Sequence, residues 1–135
     1  MIQGKVSGSF PVPDEERALQ VVSNPDTLIN CIPGATRINE KEFRVQTKVA
    51  MIVVTLTGVL TNFKVEDRQV LSEITVRGPG ISATVFSSLK VHDGSLVYDV
   101  EYKGDVSQVL EKIARREVER VSNEIVECTR RKVTS

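Results

Sequence analysis

The stretch SLVYDVEYKGDVSQVLEKIARREVERVSNEIVECTRRK, residues 95–132, changes its hydrophobic period once, and that change decides the fold. In its first part Leu96, Tyr98, Val100 and Tyr102 alternate with Asp99, Glu101 and Lys103. Period two places the apolar set on one face of a strand and the charges on the other. From Val106 onward the apolar residues recur as Leu110, Ile113, Ala114, Val118, Val121 and Ile125, the stripe of an amphipathic helix. The spacing predicts one helix over 106–132, about 40 Å long at ~1.5 Å per residue. Asp105 and Gln108 stand as a capping box at its start. Glu111–Arg115, Arg120–Glu124 and Glu127–Arg131 are i,i+4 pairs for its wet side.

Working backwards, the strand pattern continues. Ile81, Ala83, Val85, Ser87, Leu89 and Val91 share a face, and His92-Asp93-Gly94 is a hairpin turn before 95–104. Gly78-Pro79-Gly80, Glu66-Asp67-Arg68, Ala50-Met51 and Asn39-Glu40-Lys41 divide the rest into strands over 69–77, 53–65, 42–49 and 35–38. Ahead of them, Ile2, Gly4, Val6, Gly8 and Phe10 form one face of a first strand. Between 13 and 32 the period is helical. Acid at Pro13-Asp14-Glu15-Glu16 opens one short helix, and Asn24-Pro25 caps a second carrying Leu28, Ile29 and Ile32. Pro33-Gly34 stops it.

The order is therefore strand, two short helices, six strands, long helix, over a single domain spanning 1–135. An antiparallel sheet with one wet face needs a cover for its apolar face, and only the last helix is long enough. The fold class is α+β: a seven-stranded curved antiparallel sheet wrapped around a long C-terminal helix. A curved sheet gripping a helix leaves a gap that is either filled or kept as a ligand cavity. Aromatic residues are only 4% of the chain, and the inward positions carry Val, Ile, Ala, Thr and Gly. Small fillers favour a cavity; a core packed solid with Val and Ile is the alternative. The alternation points Val45, Leu56, Leu60, Ile74, Val85, Tyr98 and Val100 toward the long helix, with Leu110 and Ile113 facing them and Ile32 at the side.

Composition narrows the function. The 135 residues hold 18 Lys+Arg and 18 Asp+Glu, a zero balance that excludes a strongly electrostatic nucleic-acid binder. With 40% hydrophobic and 27% charged residues, the chain is not disordered. One His and two Cys cannot by themselves assemble a zinc site, so no metal is expected. Any catalytic triad would depend on His92, which falls in an exposed turn. No glycine-rich phosphate loop occurs, and no cofactor is expected. The longest apolar run, Val49–Val54, is far short of the ~20 residues that span a bilayer. Met1-Ile2-Gln3-Gly4-Lys5 lacks a secretory pattern, so the expected location is the cytoplasm.

The order of elements is similar to the START-like helix-grip (SRPBCC) superfamily. Within it, Asn24-Pro25-Asp26-Thr27-Leu28-Ile29-Asn30-Cys31-Ile32-Pro33-Gly34-Ala35 resembles the D/N-P-x-x-L…C-I/L-P-G-A segment of the family of carbon monoxide dehydrogenase G subunits. Thr57-Gly58-Val59 resembles that family's second signature. Where the family often has Gly after the third strand, this chain has Ala50-Met51. The resemblance implies a non-catalytic accessory protein of a molybdenum CO dehydrogenase-type hydroxylase, assisting its access to the membrane or quinone pool. It implies an apolar ligand, a quinone or isoprenoid lipid, and peripheral contact at the inner face of the membrane. Pro33, Gly34 and Ala35 then read as a cavity lip or as a plain helix stop. Ala50-Met51-Ile52-Val53 reads as an apolar tip for membrane or partner, or as buried sheet. Arg130-Arg131-Lys132 attracts an anionic surface or simply complements the helix dipole. In the helix-grip arrangement the short helices brace the C-terminal half of the long one, bringing Cys31 and Cys128 within reach; a disulfide and two free thiols both remain open. Two other functions stay open: a protein-interaction module with a filled core, and a cyclase- or hydratase-type enzyme, which would need an acid or base facing inward.

Overall fold

The computed structural model describes residues 1–49 and 51–135. Strand β1 (Ile2–Pro11) is followed by helices α1 (Glu15–Val22) and α2 (Pro25–Asn30). Then come β2 (Ala35–Arg37), β3 (Glu42–Val49), β4 (Ile52–Glu66), β5 (Gln69–Gly78), β6 (Ile81–His92) and β7 (Ser95–Val106). A 3-10 turn over Gln108–Leu110 leads into α3 (Glu111–Thr134). All the strands join one antiparallel sheet in the order β1-β7-β6-β5-β4-β3-β2, so the first strand closes the far edge against the last. The α+β helix-grip reading holds.

Local chemistry accounts for the helix starts. The Asp14 carboxylate accepts from the Arg17 N–H, and the Asn24 side chain accepts from the Asp26 N–H ahead of Pro25 at the first helical turn. The long helix begins later than its period predicts. β7 stays paired with β6 through Ile81↔Val106, so Asp105 and Val106 spend their backbone groups in the ladder. The Asp105–Gln108 capping box therefore does not form, and α3 starts after Leu110 with no side-chain cap. Ladder pairing overrode the local cap. Of the anticipated Ala50-Met51 turn, Ala50 lies outside the described residues; Met51 has φ 69°.

The sheet curves where its register breaks. The β4–β5 pairing shifts between Leu60 and Asn62, a bulge that bends the strand and increases its twist. Inward parity moves with it, from Gly58 and Leu60 before the bulge to Phe63 after it. The Phe43 ring lies across Gly58, its cross-strand partner, so closely that an added Cβ would meet the ring at 2.3 Å. Tyr98 covers Gly8 in the same way.

Three apolar clusters fill the grip. Phe10, Ala18, Val22, Leu96 and Val133 join α1 and the end of α3 to the sheet. Ile29, Phe43, Val45, Leu60 and Ile74 gather under α2. Ile2, Tyr102, Val106 and Ala114 hold the start of α3 to β1 and β7.

Candidate functional site

Between these clusters, under the second half of α3, lies a cavity of about 60 Å³. Its floor comes from inward positions of three central strands: Ser72 and Ile74 of β5, Val85, Ser87 and Leu89 of β6, and Leu96, Tyr98 and Val100 of β7. Its roof is Ser122, Ile125, Val126 and Thr129 of α3. Phe10 closes it from β1 and Leu28 from α2. The volume exceeds the ~10–15 Å³ a water needs and falls short of the ~150 Å³ of a cavity that takes benzene.

Among the described residues, the walls carry no charged side chain. Asp99 and Glu101, on the alternate positions of β7, turn to the outer face, where Lys5 Nζ stands 3.3 Å from Asp99 Oδ2 and 3.8 Å from Glu101 Oε1. Polarity inside is limited to hydroxyls. Ser72 and Ser87 face each other across β5 and β6 and are hydrogen-bonded. Thr129 Oγ1 donates back to the Ile125 carbonyl at 2.8 Å. Ser122 is 5% exposed and makes no side-chain hydrogen bond among the described residues.

Of the residues expected to line a cavity, Ile74, Val85, Tyr98 and Val100 do so. Ile32, Val45, Leu56 and Leu60 sit instead in the cluster around Phe43 and Ile29, toward the β2 edge. Leu110 packs on the Ile2–Tyr102 cluster at the opposite end of the helix. Ile113 lies on the flank of α3 and is 38% exposed. The cavity is shorter than the sheet, because side chains meet α3 directly at both ends. The sequence reading missed Phe10, Leu28, Leu89, Leu96, Ile125 and Val126, and above all the hydroxyls. Ser72 and Ser87 hold apolar-parity positions of their strands, and Ser122 and Thr129 fall on the apolar stripe of α3. That misplacement was the available signal.

Pro33, Gly34 and Ala35 are not in the cavity wall. Gly34 has φ +73°, and a Cβ there would lie 2.6 Å from the Gln46 carbonyl oxygen. The segment needs glycine so that the chain can turn and run against β3, where the Gln46 N–H donates to the Gly34 carbonyl. Cys31 and Cys128 form a disulfide with Cα atoms 5.6 Å apart, fastening the end of α2 to α3 between Ile125 and Thr129 of the roof.

The outer rim is polar at one end and apolar at the other. Arg130 and Arg131 of the basic cluster reach Glu127, and His92 Nε2 sits 3.0 Å from Asp93. Met51, Ile52 and Val53 project at the β3–β4 tip, with Val109 exposed at the start of the helix segment. Thr47 Oγ1 donates to Glu117 Oε1 at 3.0 Å, tying that hairpin to α3. The Arg120 guanidinium beside Glu117 holds its carboxyl below the usual range. Tyr102 donates to Glu119 at 3.2 Å, and burial, then that carboxylate, push its hydroxyl up. Among the described residues no helix is long and apolar enough to cross a membrane, and no group of three or more His, Cys, Asp and Glu side chains is arranged to hold a metal.

Several solved structures share this architecture. A conserved protein from Geobacillus kaustophilus is 15% identical, with 98% of this chain and 92% of that one covered at a TM-score of 0.63. A START superfamily protein from Mycobacterium smegmatis is 10% identical, with 97% and 96% covered at 0.62. A norcoclaurine synthase point mutant from Thalictrum flavum, in complex with a transition-state analogue, is 12% identical, with 95% and 94% covered at 0.57. At these identities the likeness shows a START-like fold alone. No curated protein sequence matches the chain significantly. The family model for CoxG, the G subunit of carbon monoxide dehydrogenase, matches residues 8–134, from the middle of β1 to the last turn of α3, and the chain therefore belongs to that family.

Proposed function

We propose that the protein is a non-enzymatic carrier for an uncharged, largely apolar small molecule, held between the sheet and α3. The cavity carries the reading: a partly open space under α3 with apolar walls, a few hydroxyls and no charged group among the described residues. Such walls bind by desolvation, at roughly 25 cal/mol per Å² of apolar surface removed from water. Among the described residues the walls offer the Tyr98 phenol but no carboxylate, imidazole or amine, and Asp99 and Glu101 face outward. By family, the ligand is a quinone or isoprenoid lipid, and the client is a molybdenum hydroxylase whose access to the membrane or quinone pool the protein assists. Such a molecule is larger than the present space, since pockets for drug-sized ligands run to about 300–1,000 Å³. Binding therefore requires the cavity to widen.

Native mass spectrometry of the purified protein, followed by titration with a short-chain ubiquinone and a short-chain menaquinone, tests the reading. A one-to-one complex is expected, with chemical-shift changes at Leu28, Val85 and Val126. Absence of any co-purifying or titratable apolar ligand defeats it. The exposed tip at Met51, Ile52 and Val53 favours one other reading, a module that docks through this hairpin. Under it, truncating those side chains abolishes partner or membrane capture, while quinone titration shows nothing.

A further inference from the structure

The cavity has a polarity of its own, and it sorts ligands more finely than greasiness does. Ser122 is only 5% exposed as a residue, and its hydroxyl, which makes no side-chain hydrogen bond among the described residues, is not sealed off but keeps accessible surface where it lines the cavity. Serine and threonine inside helices usually donate to the carbonyl four residues back. Two others in α3 do so: Thr129 to Ile125 at 2.8 Å and Thr134 to Arg130 at 2.7 Å. Ser122 instead lines the cavity roof. On the floor, Ser72 and Ser87 share one hydrogen bond between two hydroxyls. One of that pair must donate and the other accept, so one proton of the pair stays unused.

The Ser122 hydroxyl and one proton of the Ser72–Ser87 pair are thus left unspent in a space lined mainly by Val, Ile, Leu and Phe; the other hydroxyl there without a side-chain partner, that of Tyr98, lies over Gly8 at the β1 side. A buried hydroxyl without a partner costs stability, and a retained one is a place for a water or a ligand atom. We infer that Ser122, with the Ser72–Ser87 pair, is the subsite that receives one neutral oxygen of an otherwise apolar, uncharged ligand: a carbonyl, phenol or ether rather than a carboxylate. The sign of the selectivity follows from the walls. Hydroxyl donors satisfy a neutral acceptor. Among the described residues no Lys, Arg or His lines the cavity to neutralise an anion, which would enter at the full desolvation penalty. Fatty-acid carboxylates are therefore rejected by the same site. Ser122 acts as a specificity residue, and the assignment rests on the carrier reading above.

An isosteric series tests it. Naphthalene, 1-naphthol and 1-naphthoate share one ring system and differ in the oxygen, and each is titrated into the intact disulfide-bonded protein by NMR. The expected order is 1-naphthol tightest, naphthalene about fivefold to tenfold weaker, and 1-naphthoate weakest, since one hydrogen bond is worth about that factor. Ser122→Ala removes the advantage of 1-naphthol and leaves naphthalene within about twofold. Ser87→Ala does the same to a smaller degree. Thermal melting of each variant, measured alongside, confirms that the fold persists. If naphthalene binds but 1-naphthol has no advantage, or Ser122→Ala keeps it, the subsite is overturned while the carrier reading survives. A preference for 1-naphthoate overturns it too. If none of the three binds while the short-chain quinones do, the subsite is overturned and the carrier reading survives; if the quinones fail as well, both fall.

Discussion

The two halves of α3 are held by different physics. From Ser122 onward the helix buries Ser122, Thr129 and Val133, packs against α1, and is tied to α2 through Cys31–Cys128. From Glu111 to Val121 it buries only Ala114 and starts without a side-chain cap. Polar contacts steady that part: Thr47 to Glu117, Tyr102 to Glu119, and Arg120 to Glu117 and Glu124. One half is an anchor made of apolar contact and a covalent bond. The other has a smaller apolar contact, Ala114 and Val118 against Ile2 and Tyr102, and leans more on bonds that water, salt and acid weaken. A cavity bounded by the anchored half and opened from its edges can admit a ligand without loss of the fold.

Breaking the covalent tie is the largest test. Its two cysteines are 97 residues apart in sequence, and closing such a loop in the unfolded chain corresponds to about 4.7 kcal/mol in the chain-entropy account. Cys31→Ser with Cys128→Ser is expected to lower Tm by roughly 15 °C in calorimetry without reductant. Amide exchange should accelerate most over α2. An unchanged Tm would mean that apolar packing alone makes the anchor. Next comes Val133→Ala, at a position 1% exposed, which should cost about 2 kcal/mol in urea unfolding. The matched change Val118→Ala, at a partly buried position of the first half that packs on the Ile2–Tyr102 cluster, should cost about 1 kcal/mol. Similar costs for the two would erase the contrast between the halves.

Acid probes the weaker half. Glu117 is held below the usual carboxylate range, first by the Arg120 hydrogen bond and also by Thr47. The folded state therefore binds its proton less readily than the unfolded chain. The stability from this group is complete above the ordinary glutamate range and lost as pH falls through the lowered value. Tm should be level near neutrality and decline below about pH 4, with a shallower decline in Glu117→Gln. An identical acid limb in that variant would assign the loss elsewhere. Smallest is the effect of salt: raising it to about 1 M should speed exchange in the first turns of α3 slightly and leave the turns after Ser122 unchanged.

Much of this was legible beforehand, and the exceptions are specific. The strand boundaries followed period and turn chemistry closely, because a half-buried strand must alternate and a hairpin must turn. The Asn24–Ala35 segment carried the family. The start of α3 was misread because a local cap competes with a ladder, and the ladder's partner lies on β6, twenty-five residues from Val106 at Ile81↔Val106. Of the ten expected cavity residues, only Ile74, Val85, Tyr98 and Val100 line it. Parity shows which side chains face inward, yet it does not show which of them meet α3 and which stand back from it.

By itself the sequence determined the element order, the inward face of nearly every strand, the amphipathic helix and the neutrality of the interior. These depend on neighbours one to four residues apart. Tertiary structure alone decided that Cys31 meets Cys128, that the bulge after Leu60 bends the sheet, and that Ser122 faces an opening rather than a carbonyl. Each of these turns on distances between segments remote in the chain, which the curvature of the sheet sets.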